Sequence, residues 1–336
     1  MGDKYEPPFT MSDAIVSRIA EIAQMTGQVI AYDSLSSNPQ LRRENRIKTI
    51  HSSLAIENNT LTLEQVTAVL NGRRVLAPPK DIREVQNAYD AYEALSSLDP
   101  YSIEDLLRAH SYLMNELVSE AGRFRSENVG VYDGTKLIHA GTPANYVAEL
   151  MNGLFEWLRT STMHPLVKSC VFHYEFEFIH PFSDGNGRTG RLWHSLILQK
   201  WQPVFAWLPV ETLVGEHQRE YYRALVEADA AGESTVFVEF MLQMIGDTLR
   251  EALDEDCSPR LGANDVGINV GINVGATTAN RIVALMQDDP HTTMASLARV
   301  LGISKRQVER VVASLKEKGR VERVGASKNG YWKVNG

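Results

Sequence analysis

A twelve-residue segment, His180-Pro-Phe-Ser-Asp-Gly-Asn-Gly-Arg-Thr-Gly-Arg191, constrains this chain more than any other feature. Ahead of it, Leu166, Val167, Cys170, Val171, Tyr174 and Phe178 recur at helical spacing, which marks a helix with a buried face. That helix has to stop at His180, because Pro181 disfavours helical geometry in the residue before it. Gly185 and Gly187 then make a turn, and a second helix is expected to start near Arg188. The segment thus joins two helices through a glycine-rich turn.

The helical period runs through most of residues 11–255, for example in Ile15, Ile19 and Ile22 and in Val147, Met151, Leu154, Phe155 and Leu158, so the fold class is mainly α. One stretch departs from it. Val129, Val131 and Tyr132 precede Asp133-Gly134, and Leu137 and Ile138 follow, which is a hairpin signal. Around residues 258–276 the composition shifts to Pro259, several glycines and two copies of Gly-Ile-Asn-Val, at 267–270 and 271–274. Two four-residue copies are too few for a repeat fold, and the region reads as a linker. Beyond it, helices are expected at 282–286 and 294–300, then a third from the cap Ser304 to Lys318. Strands at 321–324 and 331–334 complete a small α+β domain with the element order of a winged helix-turn-helix.

Charge divides along the same boundary. The 336 residues carry a net charge of −8, which argues against a chain coated with nucleic acid. From Thr277 onward, however, there are 11 Lys/Arg against 5 Asp/Glu. An acidic body with a basic tail suggests two parts with different tasks. The two cysteines, Cys170 and Cys257, lie far apart and suggest neither a zinc site nor a disulfide framework; Cys170 reads as a small core residue. No signal-peptide-like start and no run of 18 apolar residues is present, so a membrane partner is not expected and a reducing, cytoplasmic setting fits best.

The twelve-residue segment also reads as chemistry. Gly185, Asn186 and Gly187 can aim successive N–H groups at one point, and a following helix N-terminus adds positive potential there. Arg188 and Arg191, three apart, share a face of that helix and suit a polyphosphate. Asp184 offers a hard oxygen for Mg2+, and His180 is a suitable base for a hydroxyl nucleophile. No GxxxxGK is present, and the GxGxxG spelled by residues 185–190 follows a helix rather than the strand a dinucleotide fold requires.

With every specified position filled, the segment resembles the signature of the Fic family, HPFx(D/E)GNGRxxR. The likeness extends from about Tyr101 to Met244 and includes Gly122-Arg-Phe-Arg125 and Glu220-Tyr-Tyr222. It implies an all-helical Fic core with a β-hairpin flap and transfer of AMP from ATP to a Ser, Thr or Tyr hydroxyl of a target protein, self-modification included. By the same resemblance His180 is the base and Asp184 holds Mg2+ between the α- and β-phosphates. Gly185, Asn186 and Gly187 bind phosphate oxygens, and Arg188 and Arg191 grip the β- and γ-phosphates. Tyr222 lies against adenine, and the hairpin, with Val129, Val131 and Ile138, docks the target as an added strand. Upstream, Ser53-Leu-Ala-Ile-Glu57-Asn58 matches the inhibitory pattern (S/T)xxxE(G/N) on a helix marked by Ile47, Ile50 and Leu54. In similar proteins that glutamate pairs with the second motif arginine, here Arg191. The divisions expected are residues 1–100 for a helical region carrying the inhibitory helix, 101–257 for the core, 258–276 for the linker and 277–336 for the winged helix. The family also allows homo-oligomers. His173 and His139 receive no role.

In the tail, Val308, Val311, Val312 and Leu315 share a face, leaving Lys305, Arg306 and Arg310 outward as on a DNA-reading helix, with Lys328 near a wing tip. DNA is therefore a candidate partner of residues 277–336. Two alternatives stand beside autoinhibited AMP transfer. One is a DNA-binding regulator with a nucleotide-sensing core, and the other an enzyme in which Glu57 also assists removal of AMP.

Overall fold

The computed structural model describes residues 5–32, 38–133, 136–140, 142–257 and, between 282 and 334, chiefly 282–283, 285–287, 292–301, 308, 311–313, 315–316, 320–324 and 331–334. For residues 130–140 and 254–257 the description is confined to the backbone. The chain forms two compact units, residues 1–258 and 259–336.

The first unit is helical. Its elements are α1 (Asp13–Tyr32), α2 (Pro39–Ile56), α3 (Leu63–Leu70), α4 (Pro79–Ala94), α5 (Ile103–Leu113), the hairpin strands β1 (Gly130–Asp133) and β2 (Lys136–Ala140), α6 (Ala144–Thr160), α7 (Pro165–Ile179), α8 (Asn186–Trp201), α9 (Val210–Glu216), α10 (Gln218–Ala231) and α11 (Thr235–Cys257). Local sequence sets the ends. Asn38 caps α2 by accepting from the N–H groups of Gln40 and Leu41, and Thr62 and Gln65 form a reciprocal capping box on α3. α7 is apolar on nearly every side and is the central helix, packed on α6, α8 and α11. Phe155, Phe172, Phe176 and Trp193 interlock there with no exposed surface. Cys170 lies in this core as expected, and burial pushes its thiol up to about 12.

The hairpin forms where the Asp-Gly signal places it. Gly130 faces Ala140 and Asp133 faces Lys136 in antiparallel register, with a bulge between Val131 and Tyr132. Gly134 itself, and the side chains of Val131, Ile138 and His139, lie outside the description. Val129, just before β1, is half-buried.

The second unit has its own core of Ile282, Val283, Met286, Leu297, Val308, Val312, Leu315, Val321 and Trp332. Its helix α12 (Met294–Leu301) and the antiparallel pair β3 (Val321–Val324) and β4 (Tyr331–Val334) fall where the sequence puts them. Val308, Val312 and Leu315 are buried and Val311 packs against them, so the inward face is as expected. Lys305, Arg306, Arg310 and Lys328 lie outside the described residues, as do the linker and the Gly-Ile-Asn-Val copies. Among the described residues no helix is long and apolar enough to cross a membrane.

Candidate active site at the turn between α7 and α8

His180 caps the C-terminus of α7 in the left-handed region, with φ 54° and ψ 61°. Proline alone would send the preceding residue to extended geometry, so something else holds this conformation. The holder is Arg125, which is 3% exposed. Its Nε donates to the His180 carbonyl at 2.7 Å, and its own backbone N–H donates to Pro181 O at 3.0 Å. The His180 ring is half-buried, and its Nδ1 lies 3.4 Å from Glu177 O.

The turn is fixed from within and from below. Asn186 is buried, accepts from Phe182 N–H at 2.9 Å and donates its amide to Phe182 O at 2.8 Å. Its side chain is thus committed to the loop, and its backbone N–H is what it offers a ligand. Beneath the loop His110, from α5, stacks on Phe182 with ring centroids 3.6 Å apart and planes 4° from parallel. Its Nδ1 accepts from Gly122 N–H at 2.9 Å, so Nε2 carries the proton and donates to Asp184 O at 3.0 Å. Burial keeps this imidazole neutral, its pKa pushed down to about 4.

α8 starts at Asn186, two residues earlier than expected, with Gly185 as its N-cap. Gly185 alone of the three is left-handed, at φ 83°, and a Cβ on it would lie 2.5 Å from Met114 Sδ. Asn186 and Gly187 belong to the first helical turn. The anion site is therefore the N-terminus of α8 with a tight glycine entry, rather than a loop nest ahead of a later helix.

That site holds an anion supplied by the chain. Glu57, at the C-terminus of α2, reaches across so that a Cβ on Gly187 would collide with its Oε1. The same Oε1 accepts from Arg191 Nη2 at 2.8 Å. Ser53 completes the cradle, its Oγ accepting from Arg191 Nε at 3.1 Å and its carbonyl from Nη2 at 2.8 Å. Arg191 is 2% exposed. Burial is the largest single influence on it and disfavours its charge, yet the adjacent Glu57 carboxylate, together with Tyr221 and Glu177, outweighs burial and raises its pKa.

The motif (S/T)xxxE(G/N) acquires a local reason here. Asn58 is left-handed, with φ 65°, and its N–H donates to Ala55 O while Asn59 N–H donates to Leu54 O. This is a Schellman ending, which needs Gly or Asn at the left-handed position and aims Glu57 off the end of α2. A carboxylate there is unfavourable to the dipole of α2 and favourable to that of α8.

The first motif arginine takes different partners. Arg188 is buried, and one amino group donates to Glu84 Oε1 of α4 at 3.0 Å while the other donates to Asp184 Oδ1 at 3.1 Å. Asp184 is half-exposed. Tyr222 is 44% exposed, and its hydroxyl donates to Ile56 O at 3.3 Å, beside the end of α2. His173 is a core residue, 3.1 Å from the Tyr221 hydroxyl. The fold thus brings His180, Asp184, Gly185, Asn186, Gly187, Arg188, Arg191, Ser53 and Glu57 to one turn, with Tyr222 at its edge. His110, Glu84 and the task of Arg125 are additions that sequence reasoning does not supply. Each is a lone residue whose partners are backbone groups or distant side chains.

Residues 98–198 match the family described as Fic/DOC, and residues 264–322 match a winged helix-turn-helix DNA-binding family. The chain is similar to protein adenylyltransferase fic-1 of Caenorhabditis elegans, at 34% identity over 60% of this chain and 40% of that protein. It is also similar to protein adenylyltransferase Fic of Nematostella vectensis, at 29% over 59% and 47%. The chain therefore spans less than half the length of these relatives. A crystal structure of a Fic family protein from Desulfovibrio desulfuricans G20 is 44% identical, covers 99% of both chains and superposes with a TM-score of 0.73. With the complete motif on an α7–turn–α8 frame and end-to-end likeness to that structure, the chain belongs to the Fic family.

Proposed function

We propose that this chain is a protein adenylyltransferase, moving AMP from ATP to a Ser, Thr or Tyr hydroxyl of a target protein or of itself. The observation that carries the reading is the start of α8, where the Glu57 carboxylate pairs with Arg191 and lies against Gly187 of the first helical turn. A polyphosphate is the ligand best matched to such a site. In the proposed step His180 takes the hydroxyl proton and the hydroxyl oxygen bonds to the α-phosphorus. The bond from that phosphorus to the α–β bridging oxygen breaks, and pyrophosphate leaves. Backbone N–H groups of Gly185, Asn186 and Gly187 serve the phosphate oxygens, Arg188 and Arg191 the β- and γ-phosphates, and Tyr222 the adenine face. The hairpin, with Val129, Val131 and Ile138, docks the target as an extended strand.

The donors fit Mg2+. Asp184 is a single half-exposed carboxylate, and the described residues contain no cluster of three or more His, Cys, Asp or Glu able to hold an ion. Mg2+ commonly takes one or two carboxylates and fills its shell with phosphates and water, and it would supply charge neutralisation there. Glu57 acts as a brake in this reading, because it occupies the place of the terminal phosphate. A reducing, cytoplasmic setting accords with the buried free thiol of Cys170.

The match of residues 264–322 favours a second, compatible role for the tail in binding DNA. A DNA complex whose affinity falls steeply with salt and ignores loss of His180 would shift weight to a nucleotide-sensing regulator. Release of AMP from a labelled target, dependent on Glu57, would instead mark a remover of the modification. The reading itself is tested by comparing α- and γ-phosphate-labelled ATP with Glu57→Gly and cell lysate. Protein labelled from the α-position alone is expected, whereas γ-label on protein would mean a kinase-like reaction.

A further inference from the structure

We infer that Arg125 is a positioning residue that sets the reach between a target docked on the hairpin and the base His180. The inference rests on the adenylyltransferase reading. Arg125 is buried, and its guanidinium spends its donors on four main-chain carbonyls. Two of these belong to the legs of the hairpin. Nη1 donates to Glu127 O at 2.8 Å, three residues before β1, and Nη2 donates to Thr142 O, two residues after β2. The other two belong to the end of α7, His180 O at 2.7 Å and Ile179 O at 3.3 Å.

One planar group therefore ties both hairpin legs to the peptide that carries the base. It also keeps His180 left-handed, in an orientation that the preceding helix and following proline do not themselves produce. A second staple, Ala144 N–H to Asn128 Oδ1 at 2.8 Å, holds the legs to each other but reaches nothing at His180. A strand added to this hairpin would take its distance from His180 Nε2 from the Arg125 fork. Water needs no docking strand and would be indifferent to that distance.

The two acceptors separate the roles. With a protein hydroxyl, the oxygen bonds to the α-phosphorus, its proton passes to His180 and pyrophosphate leaves. With water, the same exchange gives free AMP. The experiment uses full-length protein carrying Glu57→Gly, α-labelled ATP and its own chain plus lysate as acceptors. Arg125→Lys keeps the charge but loses the planar fork. A misplacement of about 1 Å costs about 100-fold, so protein-bound AMP is expected to fall by about that factor. ATP affinity is expected to change by no more than about 3-fold, and free AMP to fall less than protein-bound AMP, because water depends on the orientation of His180 but not on a docked strand. Asn128→Ala loosens the legs alone and guards against failure of the buried variant to fold. It is expected to lower the ratio of protein-bound to free AMP several-fold in the same direction. An unchanged ratio in either folded variant overturns the inference. Failure of Glu57→Gly itself to label any protein refutes adenylylation, and the inference falls with it.

Discussion

Glu57→Gln isolates the charge of the proposed brake from its shape. The amide keeps the reach of the carboxylate and can still accept from Arg191 Nη2, while Ser53 goes on holding Nε and Nη2. What disappears is the negative charge at the N-terminus of α8. A hydrogen bond to a charged group contributes about 1.5–3 kcal/mol. The Glu57 side chain is 31% exposed, so solvent screening places the loss toward the lower part of that range, about 2 kcal/mol. At about 1.4 kcal/mol per tenfold, ATP should bind roughly 30-fold more tightly to the variant. Calorimetric titration of ATP into wild type and Glu57→Gln reads this directly. Affinity that stays within about twofold would refute the idea that the carboxylate competes for the phosphate place.

Three further outcomes follow from the same geometry. Gly187→Ala puts a methyl where Glu57 Oε1 lies, so in wild type it should cost about 1–3 kcal/mol by overpacking, and distinctly less when Glu57→Gly is also present; a denaturant double-mutant cycle measures the difference. His110→Phe keeps the stack on Phe182 but strands Gly122 N–H and Asp184 O, and should cost about 2–4 kcal/mol in urea denaturation, with a raised Mg2+ requirement for AMP transfer. Glu175 is buried against the Tyr5 hydroxyl, and burial raises its pKa from 4.5 to about 7. The folded state then keeps a proton that the unfolded chain has released, so this group's stability is full below pH 4.5, falls as pH rises and is lost above about 7, a span of about 3 kcal/mol. Glu175→Gln should therefore melt several degrees above wild type at pH 8 and near it at pH 4; an equal difference at both pH values would contradict this.

Much of the fold is legible because burial writes itself into sequence as period. The 3.6-residue rhythm locates α2, α6 and α7, the Asp-Gly turn locates the hairpin, and β3 and β4 fall on the expected residues. The start of α8 is misjudged by two positions because Gly185 and Gly187 look alike in sequence, whereas only Gly185 needs the left-handed region. The motif residues gather as their spacing implies, since Pro181 and the glycines restrict the turn strongly. His110, Glu84 and Arg125 escape because their partners are a carbonyl, an N–H or a distant arginine, and such partners leave no spacing to read. Arg125 shows in sequence only as part of the Gly122-Arg-Phe-Arg125 likeness, and its grip on the hairpin legs does not show there.

The most direct measurement compares Glu57→Gly with Glu57→Gly/His180→Ala in two assays, ATP affinity and α-label transferred to protein. In the proposed reaction His180 is the base and not a phosphate ligand, so the second substitution should leave ATP binding nearly unchanged and abolish transfer. Loss of ATP binding together with transfer would make His180 part of the nucleotide cradle. Transfer that persists without His180 would remove the base from the proposed reaction.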